Sequence, residues 1–259
     1  MGSVIAVVNQ KGGVGKTTSA VNVAASAADL GVRTLLIDLD PQGNATSGLG
    51  IDRTALERCV RDLLIQPQDP DDGVRLEDVV VACGVEGLDL VPATIELATA
   101  DLILTSEMAR EHKLRTALEP YKSQYDLVLI DTGPSLGILT VNSLVAADSV
   151  LIPIQCEYYA LEGLSQLVKV IDLVQQNLNP GLRICGVVLT MYDGRTTLSK
   201  QVANEVRRYF PAQVFAATIP RNVRLAEAPS HGLPCTRYDP ASRGARAYRQ
   251  LCREVLANA

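Results

Sequence analysis

Histidine is nearly missing from this 259-residue chain. His112 and His231 are the only two and lie far apart, so a zinc site has almost nothing to build on. The six cysteines, Cys59, Cys83, Cys156, Cys185, Cys235 and Cys252, form no C-x-x-C pair and no disulfide-like spacing. They read as buried or half-buried thiols in a reducing compartment. No run of 18 apolar residues occurs, which excludes a membrane-spanning helix. The first ten residues have neither the basic start nor the long apolar stretch of a signal peptide, so a cytoplasmic location is expected. Charged residues make up only 20% of the chain and hydrophobic ones 47%, which excludes disorder.

What is present is uneven in charge. Residues 1–182 carry 12 Lys and Arg against 24 Asp and Glu, whereas 183–259 carry 12 against 5. A basic final third on an acidic chain is compatible with a polyanion-facing surface or with a solvated rim. Apolar runs at 4–8, 34–37, 88–91, 127–130, 149–154, 184–190 and 214–218 read as strands, several of them apolar on both faces. Helical periods lie between them. The Ala-rich stretch 18–30 stops at Gly31, and 161–178 carries Leu164, Leu167, Val168, Ile171 and Val174 along one stripe. The alternation predicts an α/β fold: a doubly wound, mostly parallel sheet with helices on both faces, in one domain spanning 1–259. The acidic, turn-rich stretch around 66–73 reads as a surface excursion.

The strongest chemical signal follows the first strand: Asn9-Gln10-Lys11-Gly12-Gly13-Val14-Gly15-Lys16-Thr17-Thr18. Glycines let successive backbone N–H groups turn inward to form an anion cradle at a positive helix end. Lys16 is placed to neutralise β- and γ-phosphate charge and the Thr17 hydroxyl to bind Mg²⁺. Two further strand ends are acidic. Asp38 and Asp40 close the second run, and Asp131 closes the apolar run Leu127-Val-Leu-Ile, where it would hold Mg²⁺ directly or through water. A lone strand-end Asp is more often a turn former; three beside a P-loop read as a nucleotide site.

Gln10 stands where the general P-loop pattern has glycine, and Lys11 sits beside the glycines. Lys11-Gly-Gly-Val-Gly-Lys-Thr therefore resembles the deviant Walker A motif of the P-loop NTPases. Residues 38–48, 91–94, 155–163 and 219–232 resemble ParA-type partition ATPases of the chromosomal, Soj-like branch, and the likeness runs from about residue 3 to the end. The resemblance implies ATP and Mg²⁺ as cofactors and an ATP-bound homodimer that sandwiches two nucleotides. It also implies nonspecific double-stranded DNA binding, nucleoid association, and hydrolysis stimulated by a ParB-type centromere-binding partner.

By position, the resemblance makes Lys11 the lysine that reaches the partner subunit's phosphates and Lys16 the P-loop lysine. Gly12 faces the dimer contact, with Gly13, Val14, Gly15, Thr17 and Thr18 completing the loop. Asp40 positions the attacking water and joins Thr17 and Asp131 around the metal. Pro220 and Asn222 meet the adenine, and Arg195 and Arg224 bind DNA. One departure is Gly133, where the family usually has proline; it bears on the basal hydrolysis rate. Two other classes stay open: a MinD-like membrane-cycling ATPase, which would use the final helix at 241–257 on a membrane, and a metabolic or redox enzyme on the same fold. The apolar stripe of that helix is read as core packing and no stable membrane association is expected.

Overall fold

The computed structural model describes residues 2–66, 73–157 and 163–259. Most of the turn-rich stretch, together with Tyr158 and Tyr159, lies outside them. Eight strands form one sheet: β1 (Ser3–Val7), β2 (Thr34–Leu39), β3 (Val81–Ala82), β4 (Leu88–Val91), β5 (Leu127–Thr132), β6 (Ser149–Gln155), β7 (Arg183–Tyr192) and β8 (Val214–Pro220). Their order is β3-β4-β2-β5-β1-β6-β7-β8. Every pairing is parallel except β3 with β4. The seven expected strands are all present. The eighth, β3, is two residues long, too short to leave a periodic signal.

Helices α1 (Lys16–Ala28), α2 (Asn44–Gly48), α3 (Val60–Leu64), α4 (Ala100–Leu104), α5 (Lys113–Leu118), α6 (Ile138–Ala146), α7 (Leu164–Asn177), α8 (Thr197–Tyr209), α9 (Val223–Glu227), α10 (Cys235–Tyr238) and α11 (Arg243–Asn258) connect and flank the strands. Side chains alternate across each strand. Val4, Ala6 and Val8 of the first strand region enter the core that holds Leu144 of α6, Leu167 of α7 and Val206 of α8. Ile5 and Val7 enter the opposite core, with Val23 and Ala24 of α1 and Leu251 and Val255 of α11. Small alanines on α1 let α11 lie close. Gly31, at φ 80°, turns the chain out of α1, its N–H bonded to the Ala28 carbonyl.

The topology places the chemistry. β1 lies between β5 and β6, and β2 lies on the far side of β5. In the register, Asp131 stands beside Val7 on one neighbour and Asp38 on the other. The carboxyl ends of β1, β2 and β5 thus converge, as ligand sites in open α/β sheets do.

Candidate functional site

The loop leaving β1 is braced by contacts far apart in sequence. Asn9 Nδ2 donates to the Pro153 carbonyl (2.7 Å), while its Oδ1 accepts from Lys11 N–H (3.0 Å). Thr190 on β7 donates its hydroxyl to the Val14 carbonyl (2.7 Å), and Thr132 donates to the Val7 carbonyl (2.8 Å). Gly15 caps α1 at φ 89° and ψ 27° with no side-chain hydrogen bond, so the first-turn N–H groups of the helix stay directed outward. Gly13 also has a left-handed φ of 74°. Gly12 differs: a Cβ there would meet only Pro134 Cβ, at 3.9 Å. Nothing among the described residues of the subunit forbids a side chain at Gly12.

Lys16 is buried and its ammonium donates to the Lys11 carbonyl (3.2 Å). Burial lowers its proton affinity, while the charges of Asp131 and Asp40 raise it. Asp38 is fully buried and well satisfied. It accepts from Thr46 N–H (2.8 Å), the Thr46 hydroxyl (2.7 Å) and Asp40 N–H (3.2 Å). Burial still pushes its pKa up to about 6, against those hydrogen bonds. Asp131 is equally buried, yet among the described residues neither carboxylate oxygen has a hydrogen-bond partner. Burial raises its pKa well above the usual carboxylate range and the Asp38 charge raises it further. The Thr17 hydroxyl and the Lys16 ammonium oppose the shift without cancelling it.

Two buried, unpartnered oxygens near Thr17 and Lys16 fit a hard divalent cation, since Mg²⁺ takes one or two carboxylates plus substrate oxygens and water. Among the described residues no trio of His, Cys, Asp or Glu is arranged to hold a metal alone. Such an ion would therefore depend on phosphate oxygens for much of its shell. Asp40 is nearly buried, and its Oδ1 accepts from Gln42 N–H (3.0 Å). The Gln42 carbonyl is in turn gripped by Arg53 Nη1.

Beside the loop opens a cavity of about 370 Å³, lined among others by Gly15, Thr18, Pro220, Asn222, Met191 and Tyr248. It joins the loop to Pro220 at the end of β8 and to Asn222, whose side chain caps α9 by accepting from Arg224 N–H (2.9 Å). The Tyr248 hydroxyl lies 3.1 Å from that of Ser19, which ties α11 to α1. The apolar face of α11 is buried in the core, Tyr248, Leu251, Cys252 and Val255 included. All six cysteines are buried thiols.

Arg195 and Arg224 lie in different surroundings. Arg195 lines a groove of about 750 Å³ with Arg221, Arg243 and Arg246. Arg224 sits on α9, paired with Glu227 (2.8 Å) and Asp239 (3.3 Å). Arg195 itself is bound at two points by Asp193, at 3.0 and 2.8 Å. Sequence reasoning missed Arg221, Arg243 and Arg246 as groove residues, and missed Asn9, Thr190 and Tyr248 as braces. Of these, only Asn9 carried a local signal, an Asn poised to bond the backbone two residues on.

A family model described as an AAA domain matches residues 2–184. The chain is 55% identical over 258 residues to the sporulation initiation inhibitor protein Soj of Bacillus subtilis (strain 168), covering 100% of both chains. It is 50% identical over 256 residues to the chromosome partitioning protein ParA of Myxococcus xanthus, covering 99% of this chain and 88% of that one. Among solved structures it is similar to cobyrinic acid a,c-diamide synthase from Mycobacterium smegmatis with bound ATP analog and magnesium. That match has a TM-score of 0.84 and 38% identity, over 98% of this chain and 93% of the other.

Proposed function

This chain belongs to the Soj/ParA family of chromosome-partitioning ATPases, and on that footing we propose how its residues carry out a nucleotide-gated cycle on DNA. The protein is an ATPase that uses ATP and Mg²⁺. The synthase above names other chemistry on a shared fold, and fold likeness alone does not transfer activity.

In the proposed cycle the N–H groups of Gly12 to Thr18 and the Lys16 ammonium hold the phosphates. Thr17, Asp131 and Asp40 would hold the cation, whose charge would offset that of the phosphates. Pro220 and Asn222 border the base. Asp40 orients the attacking water; positioning, rather than strong basicity, is what phosphoryl transfer asks of such a group. Lys11 crosses to the nucleotide of a second copy, adding a cation at the developing charge. The room at Gly12 supports this reading: no described residue of the same subunit crowds that position, so a closely approaching second copy would account for the glycine. We further propose that 1–259 acts as one domain and that the ATP-bound pair binds duplex DNA without sequence choice through Arg195 and Arg224. In this reading a ParB-type partner speeds hydrolysis, and the protein resides on the nucleoid.

The observation that carries the nucleotide reading is the pair of orphaned Asp131 oxygens beside Lys16 and Thr17. The gate is tested by binding to a random-sequence duplex with ATP, ADP or no nucleotide across a salt series. Binding with ATP alone, falling steeply with salt, is expected of phosphate contacts. Equal binding in all three states would remove the gate.

A further inference from the structure

Gly133 follows Thr132, the last residue of β5, and its backbone is not in the left-handed region that favours glycine. Conformation therefore does not explain the missing side chain. What a side chain would change is contact with Asp40: a Cβ at Gly133 would lie at van der Waals distance from that carboxylate, 3.4 Å from both Cγ and Oδ1 and 3.6 Å from Oδ2. Asp40 Oδ1 is held by Gln42 N–H, whereas Oδ2 makes no hydrogen bond among the described residues. A carboxylate held at one oxygen pivots about that anchor, and a methyl group at 3.4 Å narrows the pivot from the β5 side. Gly137 provides a contrast in the same loop. A Cβ there meets only Ser135 Oγ at 3.6 Å and Asp101 Oδ1 at 3.9 Å, with no reach to Asp40.

We infer that Gly133 is a positioning residue for hydrolysis: by having no side chain it leaves the Asp40 carboxylate free to turn toward the attacking water, and any side chain there slows the chemical step without weakening nucleotide binding. The inference rests on the reading of Asp40 as the water-orienting group. A displacement of about 1 Å can cost about 100-fold in rate, and a carboxylate whose turning is confined by a methyl at contact distance should lose about three- to ten-fold.

The test is Mg²⁺-dependent phosphate release from ATP by the full chain carrying Gly133→Ala, Gly137→Ala or Asp40→Ala, with nucleotide affinity measured separately on a fluorescent ATP analogue. Gly133→Ala should lower kcat about three- to ten-fold with affinity within two-fold of the parent, and Gly137→Ala should leave kcat within two-fold. Gly133→Pro should lower kcat further, and the alanine variant keeps the test decisive where the proline chain does not fold. An unchanged kcat in Gly133→Ala, or an equal loss in Gly137→Ala, overturns the inference while Asp40→Ala remains inactive. Full activity in Asp40→Ala overturns the underlying reading of Asp40 instead, so the two failures are distinguishable.

Discussion

Asp38 and Asp131 are neighbours in register, both fully buried, yet they are treated differently by their surroundings. Thr46 gives Asp38 two donors, each worth about 1.5–3 kcal/mol to a charged acceptor. Asp131 has no such donors among the described residues, and burial together with the Asp38 charge pushes its pKa up. Asp131→Asn removes a buried charge without removing volume. Its melting temperature should equal or exceed that of the parent, while Mg²⁺-dependent phosphate release falls at least about 100-fold. A destabilised Asp131→Asn chain would show that the ionised form is needed for folding. Lys16→Ala removes the buried ammonium where the loop enters α1, and binding of a fluorescent ATP analogue should weaken at least about 100-fold. Retained affinity would mean that the backbone cradle suffices.

Elements succeed or fail here by how they are tied to one another. The Thr190 hydroxyl on β7 holds the Val14 carbonyl of the loop leaving β1. Thr190→Val should therefore cost about 1 kcal/mol in a thermal melt and weaken nucleotide affinity several-fold. At the sheet edge, Glu254 of α11 accepts from Ala216 N–H (2.7 Å) and Ala217 N–H (3.0 Å) of β8, covering donors that would otherwise invite another strand. Glu254→Ala should lower the melting temperature and raise light scattering on heating. Unchanged scattering would show that α11 shields the edge without that carboxylate. These ties also mark where the sequence was readable. Long apolar strands, the glycine loop and the strand-end aspartates announce themselves within a dozen residues, because period and turn chemistry are local. β3 does not, since two residues hold no period. Asn9 to Pro153, Thr190 to Val14 and Ser19 to Tyr248 join positions 144, 176 and 229 residues apart, and only the folded topology brings them together. The arginine groove was invisible for the same reason: Arg195 follows β7, Arg221 follows β8 and Arg243 opens α11.

At the scale of the whole molecule, the strand ends opposite the site are closed by an exposed pair, Arg33 and Asp126, between β2 and β5. Asp126 accepts from Arg33 N–H, Nε and Nη2, with the guanidinium hydrogen bond the main reason its pKa is depressed to about 2. A depressed carboxylate stabilises the fold above its unfolded pKa of about 3.9 and loses that contribution as pH falls toward 2. The melting-temperature gap between the parent and Asp126→Asn should be constant above about pH 5, close below about pH 4, and shrink in salt because the pair is exposed. A gap that persists at pH 2 would show that the aspartate acts by shape. The central place of β1 has a different consequence. Its backbone is bonded on both sides, to β5 and to β6, so its amides can exchange with heavy water only when the whole sheet comes apart. Deuterium uptake at Ile5 and Ala6 then reads global stability directly, and added nucleotide should slow that uptake progressively as its concentration rises above its dissociation constant. The strand that launches the phosphate loop thus serves as a built-in clock for every ligand the loop holds.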